Sequence, residues 1–150
     1  MIGYDWASDS GLRKQLALHE GSRNRIYRDT VGKMTVGVGR NLTDVPFSAD
    51  EIHLMFINDL KRAQDGLDRI TPWWRDLDPV RQRVLLDMCF NMGAGSLAAF
   101  VNTLKAVRER RFEDAAAGME ASKWYGQVGA RAKRLVEMMR TGKLPQELAK

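Results

Sequence analysis

Apolar positions recur at helical spacing through most of this chain and alternate at strand spacing in only one place. Leu12, Leu16 and Leu18 give residues 11–20 an apolar side, with Ser10 as a cap and Gly21 as the stop. Ser48 and Glu51 form a capping-box pattern, and Ile52, Met55, Phe56 and Leu60 carry one long predicted helix from there to about Ile70. Asp78-Pro79 marks another start, a cap followed by proline at the first helical position. The VRQRVLLDMCFNM that follows is apolar around much of its circumference and reads as the central buried helix. Gly93-Ala94-Gly95 breaks it. Leu97, Phe100, Val101 and Leu104 mark the next amphipathic helix, and shorter helices are expected at about 112–121 and 130–140, with Trp124-Tyr125-Gly126 between them.

The strand signal lies between the first two helices. Ile26 and Tyr27, then Met34, Val36 and Val38, read as short strands around a turn at Asp29 to Lys33, where Gly32 can take a positive φ. Val36-Gly37-Val38-Gly39 alternates large and absent side chains, which suits a thin face that backbone or ligand can approach closely. The expected fold is therefore α+β: a small α/β lobe with a short β-hairpin sheet, joined by a long helix to a larger all-helical lobe. We expect one domain over residues 1–150. The small lobe covers about 21–58, and the helical lobe covers about 59–150 plus the N-terminal helix of about 11–20.

No stretch approaches the roughly 18 apolar residues of a membrane span, and MIGYDWASDSGLRKQ lacks an apolar signal core, so neither a signal peptide nor a membrane anchor is expected. Cys89 is the single cysteine, which rules out an internal disulfide, suits a reducing cytoplasm and is expected to pack as a small apolar side chain. The net charge of +5 is unevenly distributed: residues 1–100 hold 13 Lys/Arg and 13 Asp/Glu, whereas residues 101–150 hold 11 and 6. An anionic partner is implied. Nucleic acid, membrane surface and bacterial cell wall all fit, although no helix-turn-helix spacing supports the first.

Glu20, Asp29 nine positions on and Thr35 six further are the candidate chemistry. They put two carboxyl groups on different elements, the last turn of a helix and a hairpin turn. Such a pair can face one another across a cleft, one protonated and one ionised, as acid/base cleavage of a glycosidic bond requires. The helix C-terminus carries partial negative charge, which disfavours an ionised carboxylate at Glu20 and suits a proton donor. A Glu and an Asp at this spacing are by themselves unspecific, because most carboxylates are solvated surface groups.

The surrounding motifs are more specific. A helix ending in Glu-Gly, then Tyr27-x-Asp29, then Thr35-Val-Gly-Val-Gly39 resembles the phage-type lysozymes, or endolysins, of glycoside hydrolase family 24. The resemblance continues through Phe90-Asn91-Met92-Gly93, Phe100-Val101-Asn102-Thr103-Leu104, Lys123-Trp124-Tyr125, Arg131-Ala132-Lys133-Arg134 and Arg140-Thr141-Gly142, and covers about residues 11–143.

It implies a lysozyme-like glycoside hydrolase that cuts the β-1,4 bond between N-acetylmuramic acid and N-acetylglucosamine in peptidoglycan. Glu20 would be the general acid, Asp29 would orient the attacking water, and Thr35 would hold that water, with inversion expected. Phe90, Asn91, Met92 and Thr103 would bind substrate. Arg131 would join them and reach back to Glu20. At helical spacing Phe90 and Met92 read equally well as core, and Trp124 and Trp73-Trp74 read better as packing or helix anchors than as sugar platforms.

The family histidine after Gly-x-Gly is replaced by Arg40. No cofactor is implied, and His19 and His53 have no neighbours at metal-ligand spacing. The resemblance further implies a monomer that waits in the host cytoplasm for a holin and then acts on the wall from the periplasm, with the basic last third drawn to the anionic envelope. A lytic transglycosylase, a virion-borne wall-degrading enzyme and a wall-binding module without turnover are the neighbouring readings. A basic helical nucleic-acid-binding module is the distant one.

Overall fold

The computed structural model describes residue 3 and residues 5–149. Among the described residues there are eight α-helices and one three-stranded antiparallel sheet, the α+β architecture of the lysozyme-like fold. Two compact units divide the chain, residues 1–53 and 54–150. The N-terminal segment read for a signal peptide includes residues 1, 2 and 4, which lie outside the described residues. No described helix is long and apolar enough to cross a membrane.

In the first unit a short 3-10 turn, Trp6–Ser8, leads into α1, Ser10–Glu20. The cap is Asp9 rather than Ser10: its Oδ1 accepts from the Leu12 amide at 2.7 Å, and Ser10 is already helical. A carboxylate there also complements the positive end of the helix. Gly21, at φ 74°, stops α1 and donates its N–H to the Ala17 carbonyl at 2.9 Å. Of the residues on the apolar side of α1, Leu12 is half-buried, while Leu16 and Leu18 are exposed. The unit includes α1, which the sequence reading grouped with the helical lobe.

The sheet runs β1 (Arg23–Arg28), β2 (Met34–Gly37), β3 (Arg40–Asn41) in that order. Thr35 sits in the middle, paired with Tyr27 on one side and Asn41 on the other, and Val36 pairs with Arg40. The third strand has no apolar alternation to reveal it. Helix α2, Ala49–Ile70, opens with the reciprocal box expected from Ser48 and Glu51: Ser48 N–H donates to Glu51 Oε1 at 2.9 Å and Glu51 N–H to Ser48 Oγ at 3.2 Å. Its apolar positions Ile52, Met55 and Phe56 remain exposed, and burial starts only at Ala63, Gly66 and Leu67.

The second unit is helical: α3 (Pro79–Met92), α4 (Ala94–Ala98), α5 (Val101–Arg108), α6 (Phe112–Glu120), α7 (Lys123–Val128) and α8 (Ala130–Thr141). Asp78 caps α3 by accepting from the Arg81 amide at 3.1 Å. Val84, Leu85, Met88 and Cys89 bury one face of α3, so this helix is one-sided rather than buried all round. Burial also pushes the Cys89 thiol up from its ordinary range.

α8 packs on α6, α3 and α7 around Leu104, Val107, Met119, Leu135 and Met139. The helix expected over 97–104 is two, because Phe100 leaves helical geometry at ψ 54°. The link holding Trp124 and Tyr125 is itself helical, opened by Ser122 Oγ accepting from the Tyr125 amide at 3.3 Å. Trp74 is buried and donates Nε1–H to Asp68 at 2.7 Å, anchoring the end of α2.

Arg81 joins the start of α3 to the end of α8. Its side chain is 13% exposed, donates from Nε to the Met139 carbonyl at 2.7 Å and from Nη2 to the Arg140 carbonyl at 3.1 Å, and lies 3.5 Å from the Phe112 ring centre. A positively charged group at those last carbonyls complements the negative end of α8.

Candidate active site

Glu20 is the last residue of α1, and its carboxyl meets the turn between β2 and β3. Gly39 makes this approach possible. It stands at φ 73°, and a Cβ there would lie 3.2 Å from Glu20 Oε2 and 3.5 Å from Cδ. Any side chain would be strained by the backbone and would press on the carboxyl. Among the described residues of the first unit no hydrogen bond to the Glu20 carboxyl is made.

Asp29 follows β1 and organises the hairpin turn. Its Oδ1 accepts from the amides of Val31 at 3.0 Å and Lys33 at 2.8 Å, while the Asp29 amide donates to the Lys33 carbonyl at 2.9 Å. Gly32, at φ 86°, allows the turn to close. One carboxylate oxygen thus fixes the turn. The second has no hydrogen-bond donor among the described residues of the unit.

Thr35 is 3% exposed and is the one buried polar side chain among the described residues of the first unit. Its hydroxyl donates to the Lys33 carbonyl at 3.0 Å, leaving the oxygen lone pairs as acceptors. The same stretch is tied from the other side. The Met34 amide donates to Thr43 Oγ1 at 3.0 Å, Asn41 Oδ1 accepts from the Thr43 and Asp44 amides, and Lys33 pairs with Asp44 at 2.9 Å. The Lys33 and Asn41 hydrogen bonds hold the Asp44 carboxyl below its ordinary range. Tyr27 is half-buried, with the Arg23 guanidinium 4.5 Å from its ring centre.

Arg40, at the position of the family histidine, pairs with Glu51. Glu51 lies below its ordinary range, first because of the Ser48 backbone hydrogen bond and then because of the Ser48 hydroxyl and Arg40.

In the second unit Phe90 and Arg131 line one cavity of about 510 Å³ together with Phe56, Arg83, Asp87 and Arg134. Phe90 is exposed and stands edge-on to Phe56, with ring centres 5.9 Å apart. Arg131 donates from Nε to Asp87 Oδ1 at 2.6 Å and from Nη2 to the Asp87 carbonyl at 3.4 Å. Its partner in this unit is therefore Asp87, which local sequence pattern could not indicate across 44 residues.

Asn91 accepts from Trp124 Nε1 at 3.0 Å, and Met92 packs partly buried against the core. Trp124, 7% exposed and edge-on to Phe100, is a packing residue rather than a sugar platform. Thr103 faces Gly118 in a second cavity of about 330 Å³ lined also by Asn102, Lys105, Arg111 and Asp114. Of the five expected substrate-binding residues, Phe90 and Arg131 share one cavity and Thr103 lines another. Lys133, Arg134 and Lys143 line a groove of about 430 Å³ beside Leu144 and Pro145. Among the described residues no group of three or more His, Cys, Asp or Glu could hold a metal ion.

A glutamate at a helix end, an aspartate in a β-turn and a buried threonine on the central strand are thus carried by a mostly helical α+β chain of lysozyme-like fold. Comparison with known proteins agrees. The phage lysozyme family model matches residues 17–140, and the chain belongs to that family. It is a glycoside hydrolase of lysozyme type that acts on the bacterial cell wall.

A probable T4-type lysozyme 1 of Dictyostelium discoideum is 24% identical, over 90% of this chain and 96% of that protein. The pre-baseplate central spike protein Gp5 of Enterobacteria phage T4 is 29% identical over 89% of this chain, which corresponds to 28% of that protein. The peptidoglycan hydrolase gp36 of Pseudomonas phage phiKMV is 31% identical over 85% of this chain and 15% of its own length.

Proposed function

We propose that the protein hydrolyses the β-1,4 bond between N-acetylmuramic acid and N-acetylglucosamine in peptidoglycan, with inversion at the anomeric carbon. Glu20 protonates the glycosidic oxygen. Asp29 orients the attacking water through the oxygen not used in its turn and stabilises the oxocarbenium-like transition state. Thr35, whose proton is committed to the Lys33 carbonyl, accepts a hydrogen bond from that water. The observation that carries this reading is the packing of the Glu20 carboxyl on Gly39, in the turn of the same small sheet that carries Asp29 and Thr35.

Phe90 and Arg131 contribute the substrate surface of the helical unit, with Asp87 orienting the Arg131 guanidinium. Asn91, Met92 and Thr103 are the further substrate-binding residues of this reading. The basic last third attracts the anionic envelope, and a monomer released from the host cytoplasm by a holin lyses the cell from the periplasm. The match to a segment of a phage spike protein supports a second reading for the biological setting, a wall-degrading module carried by the virion.

Mass spectrometry of the products from purified peptidoglycan in ¹⁸O water tests the chemistry. Labelled reducing muramic acid ends are the expected result. Anhydro ends would make the enzyme a lytic transglycosylase, and no products would remove the enzymatic reading.

A further inference from the structure

The turn that supports Glu20 is built on two glycines, Gly37 at φ 65° and Gly39 at φ 73°, with the exposed Val38 between them. Such a turn has little intrinsic stiffness, because glycine restricts the backbone least. Its far end is nevertheless fixed. Arg40, directly after Gly39, pairs with Val36 in the sheet and places its guanidinium on Glu51. Glu51 is itself immobilised in the first turn of α2 by reciprocal hydrogen bonds with Ser48. An unbroken chain of contacts therefore runs from the α2 N-terminus through Glu51, Arg40 and Gly39 to the Glu20 carboxyl.

We propose that Arg40 is a positioning residue for Glu20: by tying the β2–β3 turn to the first turn of α2, it holds Gly39 against the carboxyl. The proposal rests on the reading of Glu20 as the proton donor. An exposed ion pair contributes little to stability, because solvent and salt screen it and two long side chains must be ordered. Misplacing a reacting group by a fraction of an ångström to 1 Å lowers a rate by as much as about 100-fold. Arg40 should therefore affect turnover far more than folding.

The test is steady-state kinetics on soluble peptidoglycan fragments for Arg40→Gln, Arg40→Lys, Glu51→Gln and the double variant Arg40→Gln/Glu51→Gln. Glu51→Gln keeps a carbonyl oxygen for the Ser48 amide while removing the charge that Arg40 uses. Either glutamine variant should lower kcat about tenfold with KM changed less than twofold, and the double variant should be no slower than the slower single one. Arg40→Lys should recover at least half of the wild-type kcat.

Unchanged kcat in both glutamine variants, additive losses, or a loss carried by KM would each overturn the proposal. Should Arg40→Gln fail to fold, Glu51→Gln and Arg40→Lys decide by the same criteria. Glu20→Gln run in parallel separates the two readings. If it stays active the general-acid assignment fails, whereas an inactive Glu20→Gln beside fully active Arg40 and Glu51 variants rejects the positioning role alone.

Discussion

Replacing Asp29 by asparagine and by alanine separates the two tasks of this carboxylate. Oδ1 holds the hairpin turn through the amides of Val31 and Lys33 at 3.0 and 2.8 Å. Asparagine keeps an oxygen at that position, so the turn should close as before and the melting temperature should fall by no more than about 2 °C. Alanine removes both acceptors. At about 0.5–1.5 kcal/mol net for each hydrogen bond, and with the exposed Val31 amide able to turn to water, the cost is about 1.5 kcal/mol. For a chain of this size that corresponds to a fall of about 3–6 °C.

Catalysis should follow the other oxygen. Both variants lose the negative charge proposed to orient water, and both should lose roughly 10² to 10⁴ in kcat on peptidoglycan. Calorimetry and product release measured on the same preparations decide the matter. An asparagine variant that keeps a tenth or more of wild-type kcat, or one destabilised as much as the alanine variant, refutes this division of labour.

Arg81→Ala removes two charge-assisted bonds to the last carbonyls of α8 and the contact with Phe112, so it should cost about 3–5 kcal/mol. Calorimetry should show a fall of about 10 °C in Tm while kcat at low temperature is retained. Asp68 is held below its ordinary range by hydrogen bonds from Arg75 and Trp74. Its contribution is therefore present above the usual carboxylate range and is lost as pH falls through the lowered value, so urea midpoints should drop less steeply below about pH 4 in Asp68→Asn than in the wild type. Neutralising Lys133, Arg134 and Lys143 together should reduce lysis of whole cell walls more at low salt than at high salt. Equal losses at both would refute electrostatic attraction.

The parts legible in the sequence are those encoded by neighbours in the chain. Gly21 stops α1 beside Glu20, Gly32 closes the Asp29 turn, and Ser48 with Glu51 opens α2, each a signal within a few residues. Glu20, Asp29 and Thr35 stand out because their spacing couples such signals to one family pattern. The parts that were not legible depend on partners distant in sequence or on strands without apolar alternation. β3 consists of Arg40 and Asn41, polar residues held by pairing to Thr35 and Val36. Gly39 reads in sequence as a thin spot in a strand, and its contact with Glu20 emerges only when α1 and the sheet are both built. Asp87 lies 44 residues from Arg131, and nothing local predicts their bond.

The two units are stabilised by different means, and this bears on which substitutions should damage what. Among the described residues every buried apolar side chain lies at Ala63 or later, whereas in the first unit Thr35 alone is buried. The geometry around Glu20 and Asp29 therefore depends on short-range polar ties: the Asp29 turn, the Asn41 and Asp44 bonds, and the Arg40–Glu51 pair. Each such tie is worth about 1 kcal/mol or less where solvent can replace it, too little for its loss to unfold the chain. Yet each constrains the position of a reacting or supporting group, and rates are far more sensitive to position than stability is. In the helical unit the balance reverses. Truncating Leu85 or Met119 to alanine leaves a cavity costing about 2–5 kcal/mol but touches none of the groups assigned to chemistry. Substitutions from Glu20 to Glu51 should therefore appear mainly in kcat, and those in the α3, α6 and α8 core mainly in Tm. A polar-tie variant that lost stability and activity in strict proportion would show that the hairpin geometry is set by something other than these local bonds.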